Sequence, residues 1–404
     1  MLIGFESSIL NRTMTGVANY TFNIVRCVLE LDPSIRFSGF GDFNWQDFSL
    51  SDALEVGRYH QKQDNAEDKQ RDAGKNLRSR MIDGAIRLRG ARTAAAVYRG
   101  LRQRRFASSV RKQSLDLFHA FNFRPLTDPG VPMLPVIYDL STFRHPEFHP
   151  RDRVEWLEPL RLFLERAPLV QTISEFSKRE ISEVFGYPPA RIFVAPPAAS
   201  ALFAPHGIDQ TQRALNAMDL TYGSFFLIVG THEPRKNIRS ALLAYERLPP
   251  EARARCPLVL AGGRGWGDLD LPVKTEGLIR EGTVRLVHGV ADPQLRNLYE
   301  GARLMIAPSL YEGFGMPVVE ALACGTPVAH SADTSMDEIS GRVSRRVSAL
   351  DVEGWTIAFR DALESDDHSD PACREARMAR AGQFKWEHSA RSVIDAYRRI
   401  SGSA

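Results

Sequence analysis

The chain has 404 residues, 43% hydrophobic and 25% charged, with a formal net charge of +3. That length accommodates two domains of ordinary size, and the composition is that of a globular protein rather than a disordered or fibrous one. No run of about 18 apolar residues is present, so no membrane span is expected.

The opening residues Met1-Leu2-Ile3-Gly4-Phe5 read as a β-strand. Their apolar run is too short for a signal peptide, and no basic segment precedes it. The loop 13–17 leads into a helix carrying Tyr20, Ile24 and Leu31, and a second strand follows near 37–40. Gly16, at the end of that loop, reads either as a turn glycine or as room for a ligand. Residues 61–75 are polar and lack apolar periodicity, which predicts a mobile loop. Residues 71–112 hold 13 Lys/Arg against 2 Asp/Glu, a local balance of +11. Ile82, Ile86, Val97 and Leu101 fall on one helical stripe, while Gly90 and Gly100 weaken a single continuous helix. The segment 61–112 reads as a solvated basic helix on its own domain or as a peripheral contact with anionic lipid. It lacks the aromatic interleaving expected of a nucleic-acid surface.

Alternation of strand and helix resumes with strands at 115–119, 133–137, 169–174 and 192–195. Ligands in open parallel sheets lie beyond the carboxyl ends of the strands, which puts His119, Tyr138 and Asp139 at the edge of a crevice. Asp139 reads as a sugar or acceptor contact or as a loop cap. Residues 201–222 read as a linker. A strand at 224–229 then opens into Gly230-Thr231-His232-Glu233-Pro234-Arg235-Lys236-Asn237 and a helix running to 248. Adjacent Arg235 and Lys236 at a strand–loop–helix junction suit a diphosphate. Further strands are expected at 257–261 and 284–288. After the first, Gly262-Gly263-Arg264-Gly265-Trp266 reads as a nucleotide loop, with Arg264 near base or ribose, or as an ordinary turn.

The most informative stretch is 309–327, Ser-Leu-Tyr-Glu-Gly-Phe-Gly-Met-Pro-Val-Val-Glu-Ala-Leu-Ala-Cys-Gly-Thr-Pro. It follows the apolar strand 304–307 and reads as strand, glycine loop and short helix. Pro317 starts the helix and Gly325 stops it. The helix N-terminus suits an anion. Glu312 sits on the loop, and Glu320 follows eight residues later in the helix. The four cysteines lie far apart without metal-ligand spacing, so neither disulfides nor zinc are expected, and the chain reads as cytosolic.

With its glycines and prolines in register, the E-x7-E stretch resembles the retaining nucleotide-sugar glycosyltransferases of family four. The resemblance extends to D-x-x-H-A, V-x-Y-D-L, x-T-I-S-E-F-S-K, R-I-x-V-x-P-P and G-T-x-E-P-R-K-N, and covers most of the chain. It implies the α/β GT-B fold, two Rossmann-like domains with parallel sheets facing a central cleft. An acceptor domain would span 1–205 and a nucleotide-sugar domain 206–383. Residues 384–404 would form a helix crossing back to the first domain.

For the site, the resemblance implies catalytic roles for Glu312, Asp139 and Lys236. The donor would be held by Arg235, Lys236, Glu320, Gly16, Tyr138, Thr231, Arg264, Val290 and the backbone of Phe314, Gly315 and Met316. No metal or cofactor is implied. Tyr138 stands where the family usually has His, Ala198 where it often has Gly, and Thr231 where some relatives have a basic residue. The wording Y-D-L-S-x-x-x-x-P-E-x-H-P resembles bacterial polysaccharide mannosyltransferases and rhamnosyltransferases. The expected reaction is therefore transfer of mannose or a deoxyhexose from a GDP-sugar to a hydroxyl of a cell-surface polysaccharide. The acceptor would be lipid-linked and the enzyme peripheral on the inner face of the cell membrane. A UDP-sugar donor, a phosphorylase or an epimerase would use the same cleft, and an inert scaffold would not need its charged residues.

Overall fold

The computed structural model describes residues 1–10, 15–64, 89–263, 265–266 and 271–402. Thirteen strands are described: β1 (Leu2–Phe5), β2 (Arg36–Phe40), β3 (Trp45–Phe48), β4 (Leu117–Ala120), β5 (Met133–Ile137), β6 (Val170–Thr172), β7 (Ile192–Val194), β8 (Phe226–Val229), β9 (Leu258–Ala261), β10 (Val284–Val287), β11 (Leu304–Ala307), β12 (Val328–Ser331) and β13 (Arg345–Val347). They form two sheets, ordered β3-β2-β1-β4-β5-β6-β7 and β10-β9-β8-β11-β12-β13. Every pairing is parallel except β2 with β3. Helices cover both faces of such sheets, which is why central strands such as Leu-Phe-His-Ala and Leu-Val-Leu-Ala are buried throughout.

In each sheet the chain reverses its direction of travel once, between β1 and β4 and between β8 and β11. These are the switch points beyond which doubly wound sheets bind ligands. The loops at the second switch point carry Arg235, Lys236 and Glu312.

Several elements differ from the sequence expectation. An antiparallel edge strand, β3, follows β2. Gln61–Asp64 do not begin a loop but end the helix Leu50–Asp64. Ser49 and Asp52 exchange capping hydrogen bonds at its start, and Gln and Lys sustain a helix well, so polarity alone does not stop it. Residues 65–88, Ile82 and Ile86 among them, lie outside the described residues, as do the loop residues Thr13 and Met14.

The basic helix Arg89–Val110 runs unbroken through Gly90 and Gly100. Its inward face is not the expected stripe: Val97 and Leu101 are 56% and 52% exposed, whereas Arg102, Phe106 and Val110 are buried. Arg102 pairs with Glu6 at 2.8 Å and donates to the Gly41 carbonyl at 3.0 Å, so a buried guanidinium ties this helix to the first sheet.

The stretch 201–222 is not simply a linker. It contains the helix Ile208–Asn216, entered through the backbone N–H groups of His206 and Gly207, which donate to the buried Glu300 carboxylate at 2.9 Å each. The last helix, Trp386–Ser401, packs on the first-sheet helix Gly16–Leu31. Tyr20 meets Trp386 edge-on at 5.5 Å, Arg398 pairs with Asp32 at 2.8 Å, and Tyr397 bonds His119 at 2.6 Å.

The two sheets' loops meet directly. Ser174 Oγ donates to the Gly313 carbonyl at 2.7 Å. Glu338 accepts the N–H groups of Glu175 and Phe176 at 2.9 and 3.0 Å. A second-domain carboxylate thus caps the first-domain helix Glu175–Phe185 where its N–H groups lack intrahelical partners.

Candidate active site

Burial of a carboxylate is costly unless it is paired, and Glu312 is buried and paired three ways. It accepts Lys236 Nζ at 2.6 Å, Arg235 Nη1 at 2.9 Å and Ser309 Oγ at 2.8 Å. Burial would raise its pKa, but the charges of Arg235 and Lys236 and the bonds from Lys236 and Ser309 outweigh that and hold it at about 2. Arg235 is further fixed by Glu233 at 2.6 Å and by the Tyr311 carbonyl at 2.8 Å. Lys236 brings three N–H donors to the cluster, one of them directed at Glu312.

The loop that bears Glu312 is shaped by two glycines with different duties. Gly315 has φ +104°, and a Cβ there would sit 2.8 Å from Met336 Cγ, so no other residue enters the helix Met316–Ala323 this way. Gly313 serves a close approach: a Cβ there would collide with the Tyr138 carbonyl oxygen and crowd Asp139. First-domain backbone therefore lies against this loop, where a sequence reading expects only ligand. A small cleft lined by Gly230, Thr231, Lys236, Ser309, Glu312 and Pro317 runs in front of the helix N-terminus. Ser335 Oγ braces the loop by donating to the carbonyls of Glu312 and Phe314, both at 2.9 Å.

Glu320 accepts the Tyr299 hydroxyl at 2.9 Å. Burial pushes its pKa up to about 8, with Asp292 adding to the rise and the Tyr299 bond opposing it. Phe314 is buried against Phe384 at 5.5 Å, so its side chain is structural while Gly315 and Met316 open the helix. Val290 is half-buried beside Gly289, which has φ +65°. Gly16 is the first residue of its helix, and among the described residues nothing lies within 4 Å of a Cβ placed there. Arg264 lies outside the described residues.

The first domain brings Asp139 to the joint. Its Oδ1 accepts Ser141 N at 2.9 Å and Ser141 Oγ at 2.6 Å, a loop-capping role, and its charge acts on Arg235 across the gap. Two neighbours do not reach the crevice. The Tyr138 hydroxyl donates to the Phe121 carbonyl at 2.8 Å, because its ring packs between Tyr20 and Phe123. His119 is fully buried and stacked on Phe121 at 3.7 Å. Burial drives its pKa down to about 3. Both sit at strand ends, but the helix Trp386–Ser401 covers His119, and local sequence cannot announce a contact nearly three hundred residues away.

The chain with this arrangement is 38% identical over 302 residues to the O-antigen chain mannosyltransferase B of Escherichia coli, covering 74% of this chain and 79% of that relative. A model of the family described as "Glycosyl transferases group 1" matches residues 221–348. The chain belongs to the group 1 glycosyltransferases.

The matched segment of this glycosyltransferase holds Arg235, Lys236, Glu312 and Glu320 together. The serotype-specific mannosyltransferase WbdA of Escherichia coli is 29% identical over 246 residues, covering 59% of this chain and 30% of the relative. The fold matches Anabaena HepE in complex with UDP and glucose, with a TM-score of 0.66 and 15% identity over 98% of both chains. The glycosyltransferase therefore has the GT-B architecture. Sequence reading found the charged residues of the cleft but missed their holders. Ser309, Glu233 and Tyr311 lie inside the recognised stretches, yet only the folded loops reveal that they bind Glu312 and Arg235.

Proposed function

We propose that this enzyme transfers mannose, or a related deoxyhexose, from a GDP-sugar to a hydroxyl of a growing polysaccharide, with retention of anomeric configuration. The observation that carries the reading is the cluster of Arg235, Lys236 and Glu312 in front of a helix N-terminus at a sheet's switch point. When the bond from the sugar to the diphosphate breaks, the leaving group gains negative charge. Arg235 is held rigidly, Lys236 can turn its remaining donors to a phosphate oxygen, and the helix end adds a partial positive charge. These groups do the work without a metal ion in this reading. Glu312 holds both cations in place and lies where positive charge develops at the anomeric carbon. Glu320 binds the ribose hydroxyls.

The donor assignment is supported by likeness to O-antigen mannosyltransferases over most of the chain. The acceptor in this reading is a lipid-linked glycan. Among the described residues no helix is long and apolar enough to cross a membrane. The helix Arg89–Val110 exposes Val97 and Leu101 beside exposed Arg99 and Arg104, which suits contact with an anionic lipid surface.

The deciding experiment is a panel of GDP- and UDP-sugars scored for thermal stabilisation and turnover. Turnover of GDP-mannose supports the proposal. Turnover of a UDP-sugar with GDP-mannose inert overturns the donor, and the structural likeness to a UDP-binding relative makes that the second reading.

A further inference from the structure

Among the described residues, both ring nitrogens of His149 are buried and neither has a hydrogen-bond partner. Desolvating a polar group without pairing it costs free energy, and native proteins keep such groups where another demand exists. His149 follows the turn Pro146–Phe148 at the joint of the two domains. Trp266, from the second domain, donates its Nε1 to the Phe148 carbonyl at 2.7 Å, and its ring lies 6.2 Å from the imidazole. The charges felt by the imidazole include those of Asp139 and Arg235, one candidate site residue from each domain, together with Arg153 and Glu147. The other first-domain side chains expected here are committed elsewhere: the Tyr138 hydroxyl to Phe121, and His119 Nδ1 to Tyr397.

We propose that His149 is a sugar-binding residue whose imidazole hydrogen-bonds a hydroxyl of the hexose in the interdomain crevice, on the donor or on the acceptor glycan. This rests on the reading of the crevice as a nucleotide-sugar site. Burial, followed by the charge of Arg153, pushes the His149 pKa down to about 4. The ring is therefore neutral at pH 7 and offers one N–H and one lone pair. A hydroxyl both donates and accepts, so the match is complementary. So low a pKa makes the ring a weak general base, and binding is the role that its chemistry supports.

The test uses the full chain with His149→Phe, which keeps a ring, and His149→Gln, which keeps a donor and an acceptor. GDP affinity, donor hydrolysis without acceptor, and transfer to acceptor are measured for each. His149→Phe is expected to bind GDP as wild type does while kcat/KM falls about tenfold or more, the effect of one lost hydrogen bond to a buried group. His149→Gln recovers part of it. A fall in both hydrolysis and transfer assigns the donor sugar, and a fall in transfer alone assigns the acceptor. A folded His149→Phe with wild-type kcat/KM in both reactions overturns the proposal. If that variant does not fold, His149→Gln decides, and parallel loss of GDP binding and turnover there would assign a structural role instead. A wild-type chain that binds GDP and turns over no nucleotide sugar refutes the proposed function, and this inference with it.

Discussion

Glu312 and Glu320 are chemically identical and lie eight residues apart, yet their surroundings drive them in opposite directions. Two cations hold Glu312 ionised down to about pH 2, whereas burial keeps Glu320 protonated up to about pH 8. The signs have separate consequences. Glu312 adds stability above its usual pKa of 4.5 that is lost as pH falls towards 2. Glu320 is raised in the folded state, so it removes stability as pH climbs from 4.5 to about 8. Ribose hydroxyls donating to Glu320 would favour its charged form, so binding would release a proton. Nucleotide affinity is expected to rise with pH and level off above about 8, and Glu320→Gln should flatten that part of a calorimetric pH series. Glu312→Gln should lower kcat by about a hundredfold or more. It should also reduce unfolding free energy by about 3 kcal/mol in denaturant titration, because two half-buried cations lose their shared partner.

At the scale of elements, the loop from β11 to the helix Met316–Ala323 joins the cation cluster to the first domain. Gly313→Ala would force the Tyr138 backbone away from this loop at the joint of the two domains. Thermal unfolding should change little while kcat/KM falls sharply; a variant with full activity would show that this approach is dispensable. Strand and helix identities near this loop are readable locally, since Leu304–Ala307 is uniformly apolar and Pro317 and Gly325 punctuate the helix. The face of the basic helix was not readable that way. Val97 and Leu101 are apolar yet exposed, and Arg102 is buried because Glu6, on the loop after β1, offers it a carboxylate.

For the whole molecule, one continuous hydrophobic cluster runs through both domains, and polar contacts bridge them at the crevice beside the ring pair Phe176 and Tyr311 at 5.5 Å. Glu338 capping the helix Glu175–Phe185, Ser174 on Gly313 and Trp266 on Phe148 are all hydrogen bonds that an opening motion can break singly. Closure across these contacts would exclude water from a reaction that hydrolysis would waste. Burial raises the pKa of Glu338, and the N–H bonds from Phe176 and Glu175 oppose the rise. Glu338→Ala should loosen the joint, seen as a larger radius of gyration in small-angle scattering and a raised KM for donor. An unchanged radius and KM would assign Glu338 to the surface rather than to the joint.

Apart from elements such as β3, β13 and the helix Ile208–Asn216, the order of strands and helices, and the presence of a cationic loop and an acidic glycine loop, were determined by the sequence alone. Those features depend on neighbours a few residues apart: apolar runs, caps, glycine and proline stops. Tertiary structure alone decided which groups face the crevice. It turned Tyr138 and His119 into packing residues and brought Glu233 and Ser309 to the cation cluster. It also left the nitrogens of His149 unpartnered at the joint. Hydrogen-bond partners are set by distances between segments far apart in the chain, and no local spacing encodes them.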